Sequence, residues 1–238
     1  MKKLDMEQAY NKLHHENFER RLKEFANNEQ KIFKYKLTTP WNLIAIEFLE
    51  EIDLHRKKVL EIGCGYGSLS VYMAKKYAEV VGIDLSPEAI KISKRNALLN
   101  NQKAVFKQAR GEKLPFKDKA FDIVVCCETL EHTPDYQKAI DEIIRVTKDS
   151  GKIIITTPNS LNPRGFCLRA KSNQPFENFF NYWTVISKFK KKGVKIIEVK
   201  SKSFLNDYDK ENFLDTMINK TPLKYFSLRV GFIAIKNG

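Results

Sequence analysis

The sequence predicts an α/β domain whose core is a doubly wound, mostly parallel sheet of seven strands. Two observations predict it. From residue 58 onward short apolar runs alternate with helical patterns, and the first run ends in three alternate glycines within VLEIGCGYGSLS (residues 59–70). Short, nearly continuous apolar strands are typical of parallel sheets whose two faces are both covered by helices. A chain of 238 residues fits one such domain.

Helical patterns occupy the chain before the first strand. Residues 4–26 place Tyr10, Leu13, Phe18, Leu22 and Phe25 on one half of a helical wheel, with charged residues on the other half. A second helix is expected from about residue 41 to 52, after the break at Thr39-Pro40. We therefore expect an N-terminal helical cap over residues 1–56, followed by the sheet domain over residues 57–238.

The strands follow as apolar runs separated by helices with recognisable ends. Helices are expected from Ser68, after Ser86-Pro87, from Asp135 to about Val146, and over 182–192; Ser86 suits an N-cap and Pro87 the first helical position. The expected strands are 59–62, 80–83, 104–107, 121–127, 152–156, 194–199 and 226–235, the last of them antiparallel.

Two segments of the second half interrupt this alternation. Residues near 158–180 contain Asn, Pro and Gly and exceed an ordinary connection in length, and residues near 205–220 form a second insertion. We interpret both as lid or substrate insertions. The aromatic residues of this region either line a flat acceptor pocket or belong to the core of the cap: Phe166, Phe176, Phe179, Phe180, Tyr182 and Trp183.

Composition narrows the environment and the partners. The net charge is +13, and seven lysines lie between Ile186 and Phe204 against the single acid Glu198. Such a surface can bind nucleic acid, but the solvated face of a helix is the favoured interpretation. No apolar run is long enough to span a membrane and no secretory signal precedes the domain, so a cytoplasmic protein is expected.

The cysteines and histidines give little indication of a metal site. The four cysteines lack CxxC spacing, so we expect reduced thiols, with Cys126 and Cys127 on opposite faces of their strand, and no bound metal. His14, His15 and His55 are dispersed and expected to be exposed.

The glycine-rich turn and an acid downstream of it predict a nucleoside cofactor. Glycine accepts positive φ and, lacking Cβ, lets a ligand approach the backbone. The helix that follows directs free N–H groups at the same place. Asp84 lies seventeen residues after Gly67, at the end of the next strand. There its carboxylate can accept hydrogen bonds from both ribose hydroxyls.

Four segments together resemble the class I S-adenosylmethionine-dependent methyltransferases: E-I-G-C-G-Y-G, G-I-D-L-S, L-P-F after Glu112-Lys113, and F-D-I-V-V-C-C-E-T-L-E-H. The resemblance covers roughly residues 57–159 and is most similar to the type 11-like branch that methylates small molecules. It implies a Rossmann-like fold, S-adenosyl-L-methionine as cofactor with S-adenosyl-L-homocysteine as product, and a small-molecule acceptor that is expected to be methylated on oxygen.

The resemblance also implies which residues hold the cofactor. Gly63, Gly65 and Gly67 would lie under its methionine part, Asp84 would hold the ribose, and Leu85 would lie against the adenine. Glu61 either meets the ammonium group or only caps backbone N–H groups. The carbonyls near Cys127 and Glu128 are candidates for the same ammonium, with Cys127 otherwise a core residue.

One segment departs from the family pattern. The family usually reads G-D-A before L-P-F, and its acid accepts a hydrogen bond from the adenine amino group, whereas this chain reads Ala109-Arg110-Gly111. Arginine has only donors. Either the backbone of Arg110 and Gly111 contacts the adenine, or Glu112 substitutes for the acid, or the affinity for adenine is lower.

Methyl transfer requires alignment of a nucleophile with the C–S bond and exclusion of water, and no special side chain is obligatory. His132, just beyond the fourth strand, is the candidate general base for a hydroxyl acceptor; alternatively it caps the loop or the next helix.

The residues are compatible with three functions. A small-molecule methyltransferase is favoured, because Cys127-Glu128-Thr129-Leu130 stands where methyltransferases of nucleic-acid bases often carry Asn/Asp-Pro-Pro-aromatic. An RNA or protein methyltransferase using the lysine-rich face is the alternative. A nicotinamide oxidoreductase is disfavoured by the G-x-G-x-G spacing, and a non-catalytic nucleotide-binding module remains as a third function. These residues set neither the acceptor nor the oligomeric state.

Overall fold

The computed structural model describes residues 3–24, 28, 40–162, 175–178, 181–202, 217–218, 220–227 and 229–237. The strands are β1 (Lys58–Ile62), β2 (Glu79–Asp84), β3 (Ala104–Gln108), β4 (Phe121–Cys127), β5 (Thr147–Pro158), β6 (Val194–Lys202) and β7 (Arg229–Lys236). The helices are α1 (Lys3–Glu24), α2 (Pro40–Glu50), α3 (Ser68–Lys75), α4 (Pro87–Leu99), α5 (Tyr136–Val146) and α6 (Tyr182–Lys191). Leu130–His132 and Pro222–Phe226 form 3₁₀ turns.

All seven strands belong to one sheet, in the order β3-β2-β1-β4-β5-β7-β6. The neighbours from β3 to β5 are parallel, and β7 runs antiparallel to both β5 and β6. The chain proceeds outward from β1 through β2 to β3, then returns to the other side of β1 as β4. This reversal of strand order opens a crevice beyond the carboxyl ends of β1 and β4. The predicted fold class is confirmed.

Helices cover both faces of the sheet because alternate residues of each strand point to opposite sides. On one face, Val124 and Cys126 pack with α5 and α6, and Phe189 of α6 is fully buried. On the other face, Ile123 and Val125 pack with α2 and α3. Burial of a large apolar side chain such as Phe189 contributes about 2 kcal/mol. The two packed layers fix the crevice between β1 and β4.

N-cap side chains stabilise the first turns of the helices close to the crevice. Ser86 accepts the N–H of Ala89 at 3.1 Å and Pro87 follows it, as the sequence predicts for α4. Asp135 accepts the N–H of Lys138 at 3.1 Å at the start of α5. Each cap satisfies a backbone donor that the helix itself leaves unpaired.

Several predicted segments differ from the structure or lie outside it. The strand expected from Phe226 begins instead at Arg229, because residues 222–226 form a 3₁₀ turn. Most of the expected insertions near 158–180 and 205–220, together with Phe25, Phe166, Cys167, Phe179 and Phe180, lie outside the described residues. Tyr182 is a core residue that stacks on Tyr225 with ring centroids 5.4 Å apart. None of the described helices combines the length and the hydropathy needed to cross a membrane.

Candidate cofactor and active site

A cavity of about 530 Å³ opens at the carboxyl ends of β1, β2 and β4. The structure brings ten of the eleven residues predicted for the site to its lining. They are Glu61, Gly63, Gly65, Asp84, Leu85, Arg110, Gly111, Cys127, Glu128 and His132. Gly67 lies just behind the lining, where a Cβ would meet Ser93 at 2.8 Å. Gly67 therefore shapes the turn and allows α4 to pack against it.

The turn after β1 is held by the neighbouring strand. The N–H groups of Gly63 and Cys64 both donate to the carbonyl of Ile83 at 2.8 Å. Gly65 has φ +49°, and the only described atom within 4 Å of a Cβ built there is His14 Cε1, at 3.9 Å. The backbone at Gly65 is thus open to the cavity, as close approach of a ligand requires.

Asp84 ends β2 with both carboxylate oxygens fixed. Oδ2 accepts the N–H of Gly65 at 2.9 Å, and Oδ1 accepts the N–H of Ser86 at 2.9 Å. Each carboxylate oxygen can accept a second hydrogen bond. Asp84 therefore links the glycine turn to the start of α4 and still presents acceptors to the cavity it lines.

Glu61 lies in β1 beneath the same turn, and its side chain is buried. It accepts both the hydroxyl and the backbone N–H of Ser70 in α3. Burial raises the pKa of Glu61 to about 8, although the hydrogen bonds from Ser70 oppose the shift. Glu61 thus accepts a hydrogen bond from a backbone N–H group and also lines the cavity. Capping of backbone N–H groups and contact with an ammonium group, the two roles that the sequence leaves open, are therefore compatible.

The end of β4 forms the far wall of the cavity. Cys127 accepts the hydroxyl of Thr156 at 3.0 Å, and burial raises the pKa of its thiol to about 12. Cys127 is therefore a protonated thiol and not a nucleophile at neutral pH. Glu128 has φ +48° and forms a buried ion pair with Arg229 at the start of β7. No local sequence pattern indicates this ion pair, because Glu128 and Arg229 are remote along the chain.

His132 lies on the turn after β4 and faces the cavity. Its Nδ1 lies 2.9 Å from the carbonyl oxygen of Phe176. A carbonyl can only accept, so this contact requires the proton on Nδ1 and leaves Nε2 with a lone pair in the neutral ring. Tyr10 of α1 donates to the same carbonyl at 2.9 Å. The Glu131 side chain is buried, and its Oε1 lies 3.9 Å from Nε2 of His132. Burial raises the pKa of Glu131 to about 7.

Helix α1 forms the outer wall, and sequence reasoning missed its role in the site. Asn11 accepts the N–H of Glu88 at 2.8 Å and the hydroxyl of Ser86 at 3.2 Å, which ties α1 to the start of α4. The expectation that His14 is exposed is wrong: it is partly buried and lines the cavity. His14 is partly buried because α1 docks on the rest of the protein. A single histidine in the sequence does not indicate that docking.

The residues fit an adenosyl cofactor with a charged amino-acid tail. Among the acids that line the cavity, Asp84 can accept hydrogen bonds from hydroxyl donors and Glu61 can receive a cationic group, and the backbone at Gly65 is open to the same cavity. Together with a sheet in which β7 alone runs antiparallel to its neighbours, this arrangement is similar to that of the class I S-adenosylmethionine-dependent methyltransferases.

Comparisons with known proteins agree. Residues 60–155 match the family described as methyltransferase domain. The chain is 37% identical over 114 residues to a ubiquinone biosynthesis O-methyltransferase of Alkalilimnicola ehrlichii, covering 48% of this chain and 46% of that protein. It is 42% identical over 113 residues to the chloroplastic tocopherol O-methyltransferase of Arabidopsis thaliana, covering 45% and 32%. The aligned part thus spans half or less of these relatives' length.

Solved structures show the same fold. The YcgJ protein of Bacillus subtilis superposes with a TM-score of 0.63 at 17% identity, covering 84% of this chain and 98% of that one. An S-adenosylmethionine-dependent methyltransferase of Methanosarcina mazei superposes with a TM-score of 0.62 at 22% identity, covering 80% and 97%.

Proposed function

We propose that this chain transfers a methyl group from S-adenosyl-L-methionine to a hydroxyl oxygen of a small-molecule acceptor. The observation that carries the proposal is the placement of His132 in the cofactor cavity, with Nδ1 bonded to the Phe176 carbonyl and Nε2 left as a proton acceptor. A general base with this tautomer suits an acceptor that must lose a proton as it attacks.

The contacts of the cavity residues support the following cofactor-binding roles. Asp84 holds the ribose hydroxyls, and Glu61 and the carbonyls of Cys127 and Glu128 receive the ammonium group. The open backbone of Gly65, in the same turn as Gly63, takes the methionine part, and Leu85 lies against the adenine. When bound, S-adenosylmethionine supplies an electrophilic methyl group on a sulfonium. The burial of Glu61 and Asp84 and the cover provided by α1 limit the access of water to that group.

The remaining step for the protein is removal of the hydroxyl proton of the acceptor. The acceptor oxygen forms a bond to the methyl carbon as the carbon–sulfur bond breaks, and the hydroxyl proton passes to Nε2 of His132. The neighbouring Glu131 carboxylate, 3.9 Å from Nε2, stabilises the resulting imidazolium when it is ionised. Transfer of this proton to water completes the cycle.

The acceptor we favour is a phenol. The names of the two relatives refer to O-methylation in ubiquinone biosynthesis and of tocopherol, and both names point to an aromatic ring that carries oxygen. A phenolic hydroxyl also loses its proton more readily than an alcohol, so a histidine base is adequate for it.

The test follows methyl-labelled S-adenosylmethionine into a panel of catechols and simple phenols, with bulk RNA and protein incubated in parallel. We expect label in the phenolic fraction, and a drop of about a hundredfold in kcat for His132→Ala with unchanged affinity for S-adenosylhomocysteine. His55→Ala, at an exposed histidine outside the cavity, is the matched control. Label in RNA or protein, with none in any phenol, would contradict the acceptor class.

A further inference from the structure

The turn that departs from the family pattern carries a charged pair beside the cavity. Arg110, Gly111 and Glu112 all line it, next to Leu85. The carbonyl of Arg110 accepts the N–H of Lys113 at 3.2 Å, which closes a tight turn. Arg110 Nη2 lies 3.5 Å from Glu112 Oε1, and both side chains are mostly buried. The two side chains therefore reach the cavity as a unit.

This pair is only partly satisfied within the protein. Arg110 Nη1 is buried and has no hydrogen-bond partner among the described residues. A separation of 3.5 Å between Arg110 and Glu112 marks an ion pair at the edge of hydrogen-bond distance. A buried donor without a partner costs about 1–3 kcal/mol. A ligand group that accepts a hydrogen bond from Arg110 recovers that cost.

We propose that Arg110 and Glu112 together read the edge of the cofactor's adenine. Glu112 accepts a hydrogen bond from the 6-amino group, and Arg110 donates to the adjacent ring nitrogen N1. The inference rests on the proposed function, since it assigns one end of the same cofactor site. In this assignment Glu112 takes the role of the family's acid. Glu112 lies two residues after Arg110 and is oriented by its ion pair with that residue.

Such a pair distinguishes adenine from a 6-oxopurine. Adenine presents a donor at position 6 and an acceptor at N1, which match a carboxylate and a guanidinium in that order. Hypoxanthine presents an acceptor at position 6 and a donor at N1, which places an acceptor against Glu112. Glu112 is therefore the residue that sets the preference, whereas Arg110 can donate to N1 of adenine or to O6 of hypoxanthine.

The experiment titrates S-adenosylhomocysteine and S-inosylhomocysteine into the purified protein by calorimetry. We expect the wild type to bind the adenine compound at least about tenfold more tightly. Glu112→Ala should bring the two affinities within about twofold. Glu112→Gln keeps an acceptor oxygen and should retain part of the preference. Lys113→Ala, in the same turn but outside the cavity lining, is the matched control and should leave the ratio unchanged.

The outcomes separate this inference from the proposed function. If the wild type binds neither compound, the proposed function fails. If the wild type binds the adenine compound selectively and Glu112→Ala and Glu112→Gln both keep the full preference, Glu112 does not contact the amino group and the inference is overturned. Loss of the preference in Arg110→Ala but not in Glu112→Ala would also overturn it. Melting temperatures of all variants establish that each one folds.

Discussion

Asp84 receives two backbone hydrogen bonds in the protein itself, from Gly65 and Ser86. These bonds orient the carboxylate and hold the glycine turn to the start of α4. A single side chain therefore contributes both to the shape of the cavity and to the acceptors within it.

Replacement of Asp84 by Ala should lower the affinity for S-adenosylhomocysteine by about a hundredfold, because two charge-assisted hydrogen bonds to the ribose and the orientation of the turn are lost together. Calorimetric titration measures the change. Glu79→Ala removes an exposed acid at the opposite end of β2 and serves as the control. An affinity for Asp84→Ala within threefold of the wild type would contradict a ribose role.

Glu61 should make cofactor affinity depend on pH. Burial raises its pKa to about 8, so near pH 7 the free protein holds it mostly protonated. A bound ammonium favours the carboxylate, so binding releases a proton, and affinity should rise with pH between about 6 and 8 by up to tenfold per pH unit.

Titrations at pH 7 in buffers of different ionisation enthalpy measure the released proton directly. Glu61→Gln should remove both the proton release and the pH dependence, since Gln can still bond Ser70 but does not titrate. Proton release that persists in Glu61→Gln would assign the effect to another group.

Much of the site could be predicted from local sequence, because glycines, a strand-end acid and a histidine each lie on a recognisable turn. Tyr10, Asn11 and Arg229 could not be predicted, since they reach the site only through tertiary contacts. An amphipathic pattern shows that one face of α1 is buried, but not that polar residues of that helix line a cavity.

At the scale of elements, polar contacts fasten α1 over the site at several points along the helix, among them Glu7, Asn11 and His14. Asn11 bonds the start of α4, and Tyr10 bonds the carbonyl that also holds His132. Since α1 forms the outer wall of the cavity, we expect its movement to control entry and exit of the ligand.

Asn11→Ala should therefore speed dissociation of S-adenosylhomocysteine by about tenfold, because it removes the bonds from α1 to Glu88 and Ser86. Stopped-flow displacement gives the rate constant. Lys12→Ala, at an exposed neighbour on the same helix, should leave it unchanged. Equal dissociation rates for Asn11→Ala and the wild type would show that α1 does not gate the site.

The strand boundaries show what apolar patterns can and cannot predict. β4 was predicted with its observed bounds, Phe121–Cys127, because every residue but Asp122 is apolar. β5 begins at Thr147, earlier than predicted, through charged residues that no apolar pattern marks. β6 extends to Lys202 because its last residues pair with Val230 and Arg229, a partnership set by the sheet and not by local sequence.

At the scale of the whole molecule, two buried acids set a pH dependence of stability. Burial raises the pKa of Glu61 to about 8 and that of Glu131 to about 7, both above the ordinary 4.5 of the unfolded chain. The folded state therefore binds more protons in this interval, and the free energy of unfolding falls as pH rises from about 4.5 to about 8.

The melting temperature of the ligand-free protein should be higher by several degrees at pH 5.5 than at pH 8. Thermal unfolding followed by circular dichroism measures it. Glu61→Gln and Glu131→Gln should each flatten the profile, whereas Glu79→Gln, at an exposed acid, should not. A melting temperature that rises steadily from pH 5.5 to 8 would contradict the assignment.

The position of β7 in the sheet has a consequence for how the protein is made. β7 lies between β5 and β6, so β6 has no strand to pair with among the described residues until residues 229–236 are available. The ribosome releases β1 to β4 long before then, and nearly all of the cofactor cavity comes from residues before 135. A nascent chain can thus assemble most of the cofactor site while its sheet is still incomplete, and S-adenosylmethionine in the cell can act as a folding ligand during synthesis.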